Sequence, residues 1–391
     1  MKCLKQILQI TNGTLNAKRR FHFSPPKLNQ LQCSPNSQLD KNISDRYMCL
    51  PIPEPKTQIC YVWIDGTGID LRTKTRTLDF VPSTYKECPN WTFDGSSTFF
   101  SGPEKSDYYI VPIAMYPDPF RRGNNKIVLC EAFTPEKKPT KTNNRQCCIE
   151  TLNKVCDHEV KFGFEQEFFL VGHDDKPYGW PCGAKIDTEG KSYCGIGSNR
   201  VTGRDVVECI YRCCLYSGVD AYSCKAEIAF GQWELVTGPT LSIKAADDLW
   251  LMRYIISRVS EDYGLTASFK AKLVPNAPGS ALHTAMSTKN SRQDEGIKYI
   301  EQFMKKLEKN HANDIKSFDL AGGGDMRKRF TGKDGSPCLD KFKSGVGDRT
   351  AHVKLSPAVI DKKKGFFEDR RPCANADPYL VIATLIKSCL L

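Results

Sequence analysis

"KFGFEQEFFL", residues 161–170, is the stretch on which the reading of this chain turns. Its aromatic and apolar residues predict a buried β-strand. Side chains on a strand alternate between two faces, so Glu165 and Glu167 project from the same one. Two carboxylates leaving a buried strand together are costly unless something compensates them.

Other carboxylates interrupt strand-like text in the same way. "CKAEIAFGQWELVTGP" carries Glu227 and Glu234, seven residues apart. That spacing sends them to opposite faces of an unbroken strand, so convergence requires a bulge or turn, which Phe230-Gly231 supplies. "GSALHTAMST" adds His283, and "GFFEDRRP" adds Glu368 beside Asp369, Arg370 and Arg371. Singly, each has an ordinary explanation: an exposed strand face, a core histidine bonded to a carbonyl, a solvated charge run.

Together, five glutamates and one histidine form an oxygen-rich donor set suited to Mg²⁺ or Mn²⁺ and poorly suited to zinc. Arginines stand near these segments in "MRKRFTG" (Arg327, Arg329), "GVGDRTAHVKL" (Arg349) and the Arg370–Arg371 pair. Cations that clamp phosphate oxygens, flanked by guanidinium groups, are what phosphoryl transfer needs. There is no G-x-x-x-x-G-K-[ST] motif and no Gly-rich loop of kinase or Rossmann type, so if ATP binds it is held mainly by metals and arginines.

The 391 residues, 40% hydrophobic, suffice for one large or two ordinary globular domains. The longest apolar run, "YLVIATLI", is far short of a membrane span, and a soluble protein is expected. The 18 cysteines include no C-x-x-C pair, which fits a reducing compartment better than a disulfide framework. Residues 1–39 hold six Lys or Arg and no acidic residue, more than half of the net charge of +11. The body is therefore only mildly basic, and nucleic acid is not an expected partner. The leader places Met1, Leu4, Ile7 and Leu8 on one helical face and continues into Lys18, Arg19 and Arg20. It resembles a mitochondrial transit peptide, with a matrix location; the other reading is a disordered basic arm on a cytoplasmic protein.

Residues 24–56, rich in Pro, Asn, Ser and Gln, read as a linker. "ICYVWID" and "RTKTRTLDF" read as partner strands, opening a small β-rich unit that runs to about residue 142. Beyond it, strands alternate with amphipathic helices in "RDVVECIYRCCLYSG", "DDLWLMRYIISRVSEDYG" and "GIKYIEQFMKKLEKN".

These motifs, in this order, resemble eukaryotic-type glutamine synthetase, the glutamate–ammonia ligase family. The likeness rests on "YVWIDGTG", "KTRTLDF", "WTFDGSST", "FEQEFFL", "GRDVVE", "GQWE", "LHTAMST", "RFTG" and "GFFEDRRPCANADPY", spread over residues 45–390. It implies an α+β architecture: a leader and linker at 1–40, a β-grasp-like domain at 41–142, and a catalytic domain at 143–391 whose curved antiparallel sheet forms a metal-lined funnel flanked by helices. It also implies a homo-oligomeric ring of stacked pentamers, active sites shared between neighbours, and no membrane. The implied reaction has ATP phosphorylate the side-chain carboxylate of glutamate, after which ammonia displaces phosphate to give glutamine.

Carried over residue by residue, the likeness makes Glu167, Glu227 and Glu234 the ligands of one ion, and Glu165, His283 and Glu368 those of a second that holds the ATP phosphates. It assigns Asp94, Arg329 and Arg349 to catalysis, with Asp94, beside Trp91, lent to a neighbour's ammonium site. Asn276, Gly279, Arg349 and Arg370 go to glutamate binding. Glu165, Glu234, Ser287, Arg292, Arg349, Lys354 and Phe366 go to the nucleotide. The sequence departs from the family pattern at Gly335, where the flap glutamate is expected, in the shortened loop "NAPGSAL" with Pro278, and at Ala285, Lys354 and Phe366. These changes predict a slowed ligase; a subunit without turnover, co-assembled in a ring with an active paralogue, is the reading from another class.

Overall fold

The computed structural model describes residues 39–180, 190–275, 277–319, 324–332 and 336–391. The leader, Asn276 and Gly335 lie outside the described residues. Within the segment expected to be linker, Lys41–Met48 forms a helix, α1, capped by Asp40, whose Oδ1 accepts from the Asn42 N–H at 3.0 Å. None of its residues is buried, so the cap and not packing accounts for this departure from the sequence reading.

A five-stranded sheet follows, built from β1 (Thr57–Ile64), β2 (Leu71–Leu78), β3 (Trp91–Asp94), β4 (Asp107–Pro117) and β5 (Lys126–Phe133) in the order β2-β1-β5-β4-β3. The partner strands expected from the sequence, β1 and β2, pair antiparallel, whereas β1 and β5 run parallel. On one face Tyr61, Trp63, Phe93, Tyr108 and Ile110 form a separate core.

The second sheet holds β6 (Lys161–Val171), β7 (Ala221–Ala226), β8 (Gln232–Leu241), β9 (Thr266–Ser268), β10 (Leu282–Ser287), β11 (Ser344–Val346), β12 (Val353–Leu355) and β13 (Phe367–Asp369). Its order is β11-β12-β13-β10-β6-β8-β7, with β9 paired to β6. The sheet is antiparallel throughout except for the β11–β12 pair, which runs parallel.

Eight α-helices accompany the sheets among the described residues: α1, α2 (Asn144–Asn153), α3 (Arg204–Tyr216), α4 (Ser242–Asp262), α5 (Ile297–Phe318), α6 (Gly324–Arg329), α7 (Pro357–Lys362) and α8 (Pro378–Leu390). α4 packs against β6 and β8, and α8 packs against α2, α4 and α5. The apolar run near the C-terminus is thus a buried helix, started by Asp377 accepting from the Tyr379 N–H at 2.8 Å and by Pro378 in its first turn. No described helix is long and apolar enough to cross a membrane.

Strand β6 joins the core to the site. Phe162, Phe164, Phe168 and Leu170 alternate onto the face covered by α4 and are fully buried with Leu249, Trp250 and Ile256. Each such side chain contributes about 1.5–3 kcal/mol relative to exposure. Gln166 falls on that same apolar face, and its partner is the buried Arg253 of α4, whose Nε donates to the amide oxygen at 2.8 Å. The guanidinium also donates to the carbonyls of Ala374 and Ala376, both at 2.9 Å, so β6 is tied from behind to α4 and to the chain entering α8.

Under the other end of the sheet, the fully buried Arg371 pairs with Asp369 at 2.7 Å and Asp314 at 2.9 Å. His311 and His352 meet edge to face beside it, their ring centroids 4.8 Å apart. Burial first, then the charges of His311 and Arg371, lower the His352 pKa from 6.5 to about 3. Between those values the unfolded chain binds a proton that the folded chain refuses, so this contribution to stability is complete above about pH 6.5 and is lost as the pH falls toward 3. The urea midpoint should therefore drop between about pH 7 and pH 5, and His352→Gln should flatten the drop; an equal slope in both proteins contradicts this assignment.

Candidate active site

The face of β6 opposite the core carries Glu165 and Glu167, and the register of the neighbouring strands builds the site around them. Across β6 and β8, Glu167 lies opposite Glu234. Across β6 and β10, Glu165 lies opposite His283. Glu368 on β13 lies opposite Ala285, which in turn faces Gly163 on β6. Glu227 arrives by the turn expected from the sequence: it follows the last residue of β7, its N–H donates to the Gln232 carbonyl at 2.9 Å, and Gly231 closes the turn at φ +80°. That left-handed geometry suits glycine, and a Cβ there would meet Pro177 and Tyr178 at 3.3 Å.

The six residues expected to bind metal therefore converge. Donor atoms of Glu165, Glu234 and His283 lie within 4.8 Å of one another, as do those of Glu167, Glu227 and Glu234, so Glu234 belongs to both groups. His283 Nδ1 is 3.3 Å from Glu165 Oε2 and 3.8 Å from Glu368 Oε1, and its Nε2 is 4.0 Å from Glu167 Oε1. Glu167 accepts from the Ala281 N–H at 2.9 Å and from Gln232 Nε2 at 3.2 Å, which fixes its direction.

Burial first, then the charges of Glu227 and Glu234, push the Glu167 carboxyl well above the usual carboxylate range. Burial and Glu165 raise Glu234 to about 8. Burial and Arg370 push the His283 imidazole well below its ordinary value, which keeps it neutral and able to coordinate. Clustered carboxylates that resist ionisation without a counter-charge, joined by a neutral imidazole, fit hard divalent ions.

Cationic groups border the cluster. Lys354 Nζ contacts Glu368 at 2.5 Å, and Arg370 Nε lies 3.5 Å from the same carboxylate. Arg370 also donates to the Arg349 carbonyl, and the Arg349 guanidinium lies over the Tyr193 ring at 5.8 Å. Arg329, at the end of α6, donates to the carbonyls of Arg370 at 2.6 Å and Arg371 at 2.7 Å, so it braces that segment. Gly279 packs against it: a Cβ would stand 2.6 Å from the Ala271 carbonyl and 3.0 Å from Arg329 Cγ.

Ser287 ends β10 on the same face as His283, and its Oγ accepts from Arg292 at 3.1 Å. Phe366 stands half-exposed just before β13. Asp94 does not join these groups through any hydrogen bond; it ends the edge strand of the other sheet, exposed, accepting from Ser96 Oγ at 2.6 Å and Ser97 Oγ at 2.5 Å. Those bonds hold its carboxyl well below the usual range. Trp91, on the same strand, carries Lys74 Nζ over its ring at 3.5 Å.

The sequence reading missed two members of the site. Gln232 donates to Glu167, and also to Ser280 Oγ at 3.1 Å. Lys225, opposite Glu234 across β7 and β8, contacts Glu227 at 3.0 Å and Glu234 more closely still. The signal was present in "CKAE", where a lysine stands two residues before a glutamate on strand-like text.

The fold and donor set define a carboxylate-rich cation site bordered by arginines and lysines. This chain belongs to the glutamine synthetase family: residues 142–391 match the family "Glutamine synthetase, catalytic domain". It is 46% identical to a glutamine synthetase of Homo sapiens over 359 residues, which is 92% of this chain and 96% of that one. It is 43% identical to glutamine synthetase 2 cytoplasmic of Drosophila melanogaster, over 92% of this chain and 97% of that one. A cryo-EM structure of Plasmodium falciparum glutamine synthetase, 17% identical, shares the fold with a TM-score of 0.66 over 90% of this chain and 74% of that one.

Because Glu234 serves both donor groups and Glu227 only one, Glu234→Gln should weaken both classes of Mn²⁺ site by about tenfold or more, and Glu227→Gln only one. Calorimetric titration reads this directly; equal effects of the two substitutions would show that the groups are not joined at Glu234.

Proposed function

We propose that this chain is an ATP-dependent glutamate–ammonia ligase, which phosphorylates the glutamate side-chain carboxylate and transfers ammonia to it, giving glutamine, ADP and phosphate. The observation that carries the reading is the convergence of all six metal-ligand candidates with an arginine rim, in a chain 46% identical to a named glutamine synthetase along nearly its whole length. Glu165, Glu167, Glu227, Glu234, His283 and Glu368 would hold Mg²⁺ or Mn²⁺, two or more ions per site, which would supply Lewis-acid polarisation of the phosphoryl group.

The chain's own residues bind and orient the reactants. The nucleotide runs along the open face from Glu165 and Glu234 toward Ser287 and Arg292. Ser287 stands four residues along β10 from His283, roughly 13 Å at strand rise, a span suited to a nucleotide. Lys354 and Phe366 border this path, and Gly163 opposite Ala285 keeps its floor low. Glutamate is received near Gly279 and held by Arg349 and Arg370, while Arg329 braces the segment that presents Arg370. A fixed guanidinium beside the transferring group stabilises charge that develops there.

Asp94, ionised and exposed on the edge of the five-stranded sheet, would serve the ammonium site of a neighbouring subunit, in the ring of stacked pentamers that the likeness to the family implies. The acid-free, amphipathic leader directs the chain to the mitochondrial matrix.

Purified full-length protein supplied with ATP, glutamate, ammonium and Mg²⁺ should release phosphate and glutamine in equal amounts. Intact rings that bind ATP without coupled release would instead identify a subunit without turnover, the outcome to which Gly335 at the flap position points. In the same assay, Asp94→Ala should raise the KM for ammonium and lower kcat by about 10²-fold. Unchanged kinetics would remove Asp94 from the site.

A further inference from the structure

The three-glutamate group already has a cation in it. Lys225 leaves β7 directly opposite Glu234, and its ammonium contacts both Glu227, at 3.0 Å, and Glu234. Its side chain is only 25% exposed, so these ion pairs are shielded from solvent. Glu167, Glu227 and Glu234 are the same carboxylates whose donor atoms lie within 4.8 Å of one another. An ammonium on two of the three draws on the lone pairs and the negative charge that a divalent ion would use.

We propose that Lys225 is a built-in competitor for the divalent cation at the Glu167–Glu227–Glu234 group, so that an ion enters only as the ammonium is displaced. This rests on the ligase reading for the identity of the group as a metal site and adds a regulating residue to it. The structure offers the displaced side chain a second resting place: Lys225 Nζ lies 5.9 Å from the centroid of the Tyr193 ring, an aromatic face that attracts cations. Arg349, assigned to substrate, lies over that same ring at 5.8 Å. An ammonium moved onto Tyr193 therefore crowds Arg349, which links loading of this group to the geometry of the glutamate pocket.

Lys354 provides the comparison. It contacts Glu368, outside the three-glutamate group, so its removal should act on the site built around His283 and leave the group at Glu227 alone.

The test is calorimetric titration of the full chain with Mn²⁺ alone, without nucleotide. Lys225→Met should tighten one class of site by about tenfold or more, and the added substitution Glu227→Gln should cancel the gain. Lys354→Met should not tighten that class. If wild type and Lys225→Met bind Mn²⁺ with the same affinity and number of sites, the competition is refuted while the metal site stands. If neither binds Mn²⁺, the metal reading falls and this proposal with it. A measurement on the unaltered protein covers the case in which Lys225→Met does not fold: acetylation of Lys225, mapped by mass spectrometry, should speed up when Mn²⁺ displaces the ammonium from its carboxylates. Unchanged or slower acetylation on adding Mn²⁺ would overturn the proposal.

Discussion

The register of β6 against β10 and β8 is the constraint on which the rest depends. With His283 held opposite Glu165 and Glu234 opposite Glu167, donors separated by long stretches of chain become neighbours. A slip of one residue would turn the glutamates into the aromatic core and the phenylalanines into the cleft, so the two faces of β6 enforce each other's placement. The tie from Gln166 to Arg253, which reaches on to the carbonyls of Ala374 and Ala376, holds this strand from the side the reactants never touch.

That placement creates an electrostatic problem as well as a site. Glu167 and Glu234 face each other across two central strands, with Glu165 and Glu227 close by, and like charges at such positions oppose folding. The structure offsets this with cations of its own: Lys225 on one group, Lys354 and Arg370 on Glu368. Paired ammonium groups make a metal-free fold tolerable, but they also occupy the electrostatic well that a divalent ion needs. Stability without ligand and readiness for ligand are thus in tension at the same carboxylates.

Much of this was legible in the primary structure because strand periodicity is strict. The pairing of Glu165 with Glu167, the turn needed between Glu227 and Glu234, the first hairpin and the three long helices all follow from spacing. What spacing does not reveal is which strands are neighbours. Apart from the β7–β8 hairpin, the order β13-β10-β6-β8-β7 departs from chain order, so the meeting of Glu368 with His283 came from resemblance and not from pattern. Lys225 escaped notice because a single lysine in polar strand text is ordinarily a solvated residue; only its register against Glu234 makes it part of the site. The α1 helix was missed for the opposite reason, since its composition is that of a linker and only the Asp40 cap favours a helix.

The donor groups are spread over β6, the β7–β8 hairpin, β10 and β13, and every one of those elements is held by pairing with another. No single strand or hairpin contains more than part of the set. Each donor group draws on strands far apart in the chain, so an ion there binds only where those strands have paired, and its binding energy adds to the cooperativity of folding. A divalent ion would then favour chains in which β6 has paired with β8 and β10 over those in which it has not.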